Sequence, residues 1–210
     1  DCLLSRGLGD VYKRQVRDVE RVQYTVDEAI NTFGKIDGLV NNAAGNFICA
    51  AEELSTNGWH SVVDIVLNGT WHCTQAVGKK WIEQGHHGRI INMVATYAWR
   101  SGPGVVHSAS AKAGVLAMTR TLAVEWGSKY GITVNAIAPG PIDNTGGSGK
   151  LSLSEDARQQ TLNSVPLGRM GQPEEIAGLA KFLFSEEANY INGACTVSYT
   201  HLTLPTKRIV

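Results

Sequence analysis

The chain has 210 residues, with 19 Lys+Arg against 19 Asp+Glu, 43% hydrophobic and 18% charged residues, and 23 glycines. That bounds it to one domain or a large part of one, with a real core, and zero formal net charge without a local basic patch excludes the electrostatic footprint of a nucleic-acid or anionic-lipid binder. No apolar run approaches the roughly 20 residues that span a bilayer, and Cys2, Cys49, Cys73 and Cys195 form no C-x-x-C pair, so the expectation is a reduced, cytoplasmic protein with no metal site and no membrane contact.

Residues 1–15 show neither helical nor strand period, and residues 198–210 end in a Thr/Leu/Pro stretch with a basic tip. Both are expected to be extraneous to a domain covering residues 16–197. Within it, Val19, Val22, Val26, Ala29, Ile30 and Phe33 fall at helical spacing, and Gly34 ends the helix. Residues 36–44 are a short apolar run broken by glycine and asparagine, the pattern of a buried strand feeding a loop. Ser55 or Thr56 caps a helix to about Gln84 that turns Trp59, Val62, Val63, Val66 and Leu67 inward, and Gly88 follows as its stop. Residues 89–95 and 132–138 are the next strands, separated by a helix over residues 106–130. The Gly/Ser/Asn stretch 144–150 reads as a mobile loop, followed by helices near residues 155–163 and 173–184. This alternation predicts the α/β class, a doubly wound parallel sheet with helices on both faces. Such a sheet binds ligands beyond the carboxyl ends of its strands.

Three segments carry candidate chemistry. Asn41-Asn42-Ala43-Ala44-Gly45 follows a predicted strand, and its small side chains let a flat or ribose-bearing ligand approach the backbone. A plain Asn-Gly turn uses the same residues. Pro139-Gly140-Pro141-Ile142 leaves another strand on the same side of the sheet, where it walls a pocket or simply reverses the chain. Ser108 and Lys112 are four apart and share a helix face beside the apolar stripe Val115, Leu116, Met118 and Leu122. A lysine there acts on a nearby phenol such as Tyr97, favouring its ionised form, although an i,i+4 Ser/Lys pair also arises incidentally. Asn68 interrupts an apolar helix, as an amide satisfied inside the core or as a functional donor. His86-His87 read as a solvated pair at a helix end, and His107 as a turn residue or a substrate neighbour. The five tryptophans read as packing residues.

Asn42-Ala43-Ala44-Gly45, Asn68, the Ser108/Lys112 pair and Pro139-Gly140-Pro141-Ile142 together resemble, in order and spacing, the short-chain dehydrogenase/reductase superfamily. The resemblance covers about residues 16–197 and implies a Rossmann-like sheet. Where that superfamily has its usual catalytic tyrosine this chain has Ser108, and Ala95 stands at the usual serine. Tyr97, fifteen residues before Lys112, together with the stretch from His107 to Gly114, is similar to the 2,4-dienoyl-CoA reductases of the superfamily.

That resemblance implies NADPH-dependent reduction of a 2,4-dienoyl-CoA to a 3-enoyl-CoA in unsaturated fatty-acid β-oxidation. Tyr97 and Asn68 would stabilise charge on the thioester oxygen. Lys112 would hold the nicotinamide ribose and raise the acidity of Tyr97, and Ser108 would be a neighbouring hydrogen-bonding group. Val16, Asn42, Ala43, Ala44, Gly45, Pro139, Gly140, Pro141 and Ile142 would complete the cofactor contacts. The partners implied are an acyl-CoA thioester and further copies of the chain, a tetramer when complete. Apolar and small residues on two helices (Trp71, Val77, Trp81; Ala109, Ala113, Gly114, Ala117, Trp126) are expected to serve the pairing. The superfamily's glycine-rich fingerprint is absent, Gln15 replaces the acidic residue before Val16, and Gly7-Leu8-Gly9 is a weak phosphate loop. The chain by itself is therefore expected to be inactive, with the first strands of the sheet missing. Two alternatives remain: another short-chain reductase of enoyl or 3-oxoacyl thioesters, and a non-catalytic packing unit.

Overall fold

The computed structural model describes residues 16–100, 102–143 and 155–198. The expected extraneous segment 1–15, the tail from residue 199 onward and the loop 144–150 lie outside the described residues. Four strands, β1 (Gly38–Asn41), β2 (Arg89–Met93), β3 (Thr133–Pro139) and β4 (Cys195–Ser198), lie side by side in chain order. All three pairings are parallel, with Asn41 opposite Asn92, Asn92 opposite Ala136 and Pro139 opposite Ser198. The helices are α1 (Val19–Phe33), α2 (Thr56–Val63), α3 (Gly69–Gln84), α4 (Val106–Tyr130), α5 (Glu155–Ser164) and α6 (Pro173–Leu183).

Strand alternation separates the two faces. Ile90, Val134, Ala136 and Ala138 point to one side, where α1, α3 and α4 supply Val22, Val26, Val77, Trp81, Val115, Leu116 and Leu122. Ile91 and Ile137 point to the other, where α6 brings Leu183 together with Ile176 and Leu179. The sheet is thus covered on both sides, as the strand–helix alternation requires. Local signals set the helix ends. Asp18 caps α1 by accepting from Arg21 N, and α6 opens on Pro173 behind a reciprocal capping box between Gln172 and Glu175. Gly131 ends α4 at a left-handed φ of 67°.

Three expectations change. The helix read as continuous from residue 55 or 56 to 84 is broken by a five-residue π turn, Asp64–Asn68, where the Gly69 N–H bonds to Asp64 O. An inserted residue widens the turn without ending the helix. The strand expected over 36–44 pairs only at Gly38–Asn41: the Ile36 carbonyl is taken at 2.6 Å by the Trp81 indole N–H, and Asn42 leaves the sheet for an exposed loop. Several helix residues expected to serve subunit pairing are already used within the chain. Val77 and Trp81 are core, and Trp126 lies where a Cβ on Gly78 would meet its ring at 2.5 Å. Trp71 on α3 and Val124 on α4 do remain exposed.

Candidate active site

Because every strand runs the same way, the carboxyl ends of β1, β2 and β3 open on one edge, and the loops carrying the candidate residues all leave from it. The edge is held by a buried polar chain. Asn41 Nδ2 donates to Asn92 Oδ1 at 2.8 Å and to Thr74 Oγ1 at 2.9 Å, while Asn92 Nδ2 donates to Thr119 Oγ1 at 2.9 Å. Four elements are tied through side chains whose polar groups are paired in the interior. The chain pins the residue before Asn42, and Asn42, Ala43 and Ala44 emerge exposed.

On α4, Lys112 is buried, and its Nζ donates to the Met93 carbonyl at the carboxyl end of β2. Burial pushes the amine down from 10.5 to about 8. Ser108, one turn earlier, is also buried. Tyr97 sits half-buried on a single turn, Thr96–Ala98, that follows β2 and packs against α4. Burial alone acts on its phenol, raising it above the usual 10. The acidifying effect of Lys112 expected on Tyr97 is therefore not seen: the phenol keeps its proton. His107 is fully buried against the Phe47 ring, at 4.4 Å between centroids, and burial lowers its pKa, so its imidazole is neutral.

The π turn stands between the first loop and α4. Ile65 Cδ1 lies 3.5 Å from the place a Cβ on Gly45 would occupy, and Leu67 comes within 2.9 Å of the same point on Gly114. A glycine at 114 is what lets Leu67 seat against the helix two residues beyond Lys112. Asn68, next in the chain, is exposed and gives Nδ2–H to Asp64 Oδ1 at 2.8 Å, so it is not the satisfied core amide that an apolar helix suggests. Val16 packs on the same corner, its side chain filling the space beside Gly69 and its carbonyl accepting from His72 Nδ1 at 2.9 Å. Pro139, Gly140, Pro141 and Ile142 leave β3 half-buried, and Ile142 bridges to Gly171.

Two contributors belong to no motif of the sequence. Asp64 lies four residues before Asn68, a spacing that brings side chains together on a helix and is the signal for it in the sequence. Asn92 was visible as a polar residue inside an apolar strand, without a partner to give it meaning.

Residues 3–198 match the family described as enoyl-(acyl carrier protein) reductase. A Bacillus subtilis (strain 168) protein named "probable 2,4-dienoyl-CoA reductase [(2E)-enoyl-CoA-producing]" is 62% identical over 184 residues, 88% of this chain and 72% of that protein. A Danio rerio protein named "peroxisomal 2,4-dienoyl-CoA reductase [(3E)-enoyl-CoA-producing]" is 42% identical, and the match covers 87% of this chain and 60% of its own length. Among solved structures, a short chain dehydrogenase from Bacillus anthracis superposes with a TM-score of 0.79 at 62% identity, over 87% of this chain and 70% of that one. A gluconate 5-dehydrogenase from Burkholderia cenocepacia, in complex with NADP and tartrate, gives 0.81 at 29% identity, over 87% and 71%.

Proposed function

The chain belongs to the short-chain dehydrogenase/reductase family, and from that premise we propose that the whole enzyme reduces a 2,4-dienoyl-CoA to a 3-enoyl-CoA with NADPH, a step in unsaturated fatty-acid breakdown. The observation that carries this reading is the position of the hydroxyls. Tyr97 stands on the turn after β2, and a serine occupies the α4 position four residues before buried Lys112. A carbonyl reductase needs a proton delivered to the carbonyl oxygen itself; a phenol moved off the helix suits a different reacting centre.

The residues present fit the nicotinamide-ribose half of the cofactor. Lys112 has three N–H donors, of which the Met93 carbonyl takes one, leaving donors for sugar hydroxyls. Asn42, Ala43 and Ala44 offer exposed backbone with small side chains, and Pro139, Gly140, Pro141 and Ile142 line the neighbouring strand end. When bound, the cofactor supplies the hydride. Tyr97, whose phenol burial raises further above its usual 10, donates to the thioester oxygen, and the free N–H of Asn68 donates beside it. Donors already in place where charge develops need no reorganisation during the reaction.

Hydride at C5 leaves negative charge shared among the oxygen, the α-carbon and the γ-carbon. Protonation at the α-carbon gives the 3-enoyl product and at the γ-carbon the 2-enoyl product, and the names of the relatives divide on this point. We assign the proton, carried by water, to the α-carbon, because Tyr97 and Asn68 gather charge at the thioester end. Exposed Trp71 and Val124 support a homo-oligomer, which a monomeric mass by light scattering overturns.

The test extends the chain at its amino end with a glycine-rich strand–helix unit and follows NADPH oxidation with a 2,4-dienoyl-CoA beside a 3-oxoacyl thioester. Preference for the dienoyl compound is expected. Preference for the oxoacyl compound overturns the activity, and a 2-enoyl product found by chromatography overturns the assignment of the proton.

A further inference from the structure

We propose that Asp64 is the positioning residue for Asn68: its carboxylate holds the carboxamide so that one N–H stays directed away from the helix, free for the substrate oxygen. The inference rests on the reading of Asn68 as a donor to the thioester. Its basis is the 2.8 Å contact from Asn68 Nδ2 to Asp64 Oδ1 inside the π turn.

A carboxamide presents nearly the same outline from its oxygen and nitrogen sides, so an unrestrained asparagine offers an acceptor as readily as a donor. An ionised carboxylate only accepts. Asp64 therefore selects the nitrogen side by chemistry, and flipping Asn68 would set its oxygen against a carboxylate oxygen. The amide nitrogen has two hydrogens; Asp64 takes one, and the other remains available. A charge-assisted bond of this kind outlasts the competition of water at an exposed position better than a neutral pair.

The backbone supports the same arrangement. Gly69 N bonds to Asp64 O across the widened turn, Leu67 is seated on Gly114 of α4, and Ile65 lies against Gly45. The turn carrying both residues is thus anchored to the helix of Lys112 on one side and to the loop of Asn42 on the other. Only the carboxamide torsion remains to be set, and Asp64 sets it. The carboxylate has a cost, since a negative charge near a developing oxyanion opposes catalysis. A glutamate at the same place keeps an acceptor-only group, whereas a carboxamide there turns either its oxygen or its nitrogen to Asn68.

That difference supplies the test. In the extended enzyme, Asp64→Ala is expected to lower kcat about tenfold with KM within about twofold, less than the roughly 100-fold or greater loss from removing an oxyanion donor outright. Asp64→Glu, which keeps an acceptor-only carboxylate at the same helix position, is expected to stay within about twofold of the parent. In the 210-residue chain, the side-chain 15N–1H2 signals of Asn68 should report an ordered amide in the parent and in Asp64→Glu, and a disordered one in Asp64→Ala. Full turnover in Asp64→Ala overturns the proposal, as does equal loss in Asp64→Ala and Asp64→Glu or equal amide order in all three. Should a 3-oxoacyl thioester prove the better substrate, the dienoyl reading fails, while the same kcat comparison on that thioester still decides the role of Asp64.

Discussion

Asn41 and Asn92 face one another across the β1–β2 ladder, and the carboxamide of the first donates to that of the second at 2.8 Å. Both N–H groups of Asn41 are used, one on Asn92 and one on Thr74, and Asn92 is fully buried. Asn92→Leu would leave an Asn41 N–H unpaired in the interior. The cost of one such group is about 1–3 kcal/mol, so urea unfolding should show a loss in that range. Thr119 keeps its bond to Val115 O and should add little. An unchanged midpoint would mean that the chain of amides contributes nothing to holding the Asn42 loop.

Two glycines should respond in opposite directions to alanine. A Cβ on Gly88 would lie 2.3 Å from the ring of Trp81, which is buried and held by its bond to Ile36 O. The ring has nowhere to go, and overpacking of this kind costs about 1–3 kcal/mol. Gly178, inside α6, has nothing within 4 Å of the same point. There Gly178→Ala should stabilise by up to about 1 kcal/mol through helix propensity. Thermal melts of the two variants check the sign of each.

Much of this fold was legible because its signals are local. α1 runs as its apolar spacing and the terminal Gly34 indicate, and α4 covers the residues 106–130 expected of it. The burial of Lys112 followed from the stripe beginning at Val115, which has to face the sheet. The π turn was not legible, since one inserted residue leaves the apolar period of residues 56–84 nearly intact. An apolar helix thus suggests a core place for Asn68, whereas the widened turn carries it outward. The state of Tyr97 was also out of reach: a lysine fifteen residues away suggested ionisation, while burial, a property of the assembled site, sets the opposite direction.

If Tyr97 rather than Ser108 works on the substrate, Tyr97→Phe in the extended enzyme should reduce kcat by about 100-fold or more with little change in KM, because the lost bond strengthens only in the transition state. Ser108→Ala should lose far less. Near-normal turnover in Tyr97→Phe alongside a dead Ser108→Ala would reverse the two roles.

Lys112 should make stability depend on alkaline pH. Folded, its amine titrates near 8, whereas an unfolded lysine holds its proton to about 10.4. Below about 8 both states are protonated and the cost of the buried cation is present in full. Between about 8 and 10.4 the unfolded state binds more protons, so this contribution makes stability rise with pH before levelling off. The shift corresponds to an effect on the order of 3 kcal/mol. Urea unfolding at several pH values should show that rise in the parent relative to Lys112→Met. Parallel pH curves for the two proteins would contradict a buried amine that sheds its proton on folding.

The final expectation concerns dinucleotide affinity in the chain of 210 residues. Hydride transfer needs the nicotinamide carbon within about 3–3.5 Å of the acceptor, and such precision draws on anchoring the whole dinucleotide. A pyrophosphate is best held by backbone N–H groups at a helix amino terminus behind a glycine-rich loop. Among the described residues α1 begins with Asp18 and Glu20, α2 begins with Ser55 already bonded to Gly58 N, and α6 begins with Pro173 and two glutamates. None of these three ends offers an uncommitted, positively polarised cradle. The ribose donors on Lys112 supply contacts to only one part of the ligand. Titration calorimetry of the chain with NADPH should therefore show no micromolar binding, and the form extended by a glycine-rich strand–helix unit should bind. Micromolar affinity in the unextended chain would mean that the nicotinamide half of the site suffices without a dedicated phosphate loop.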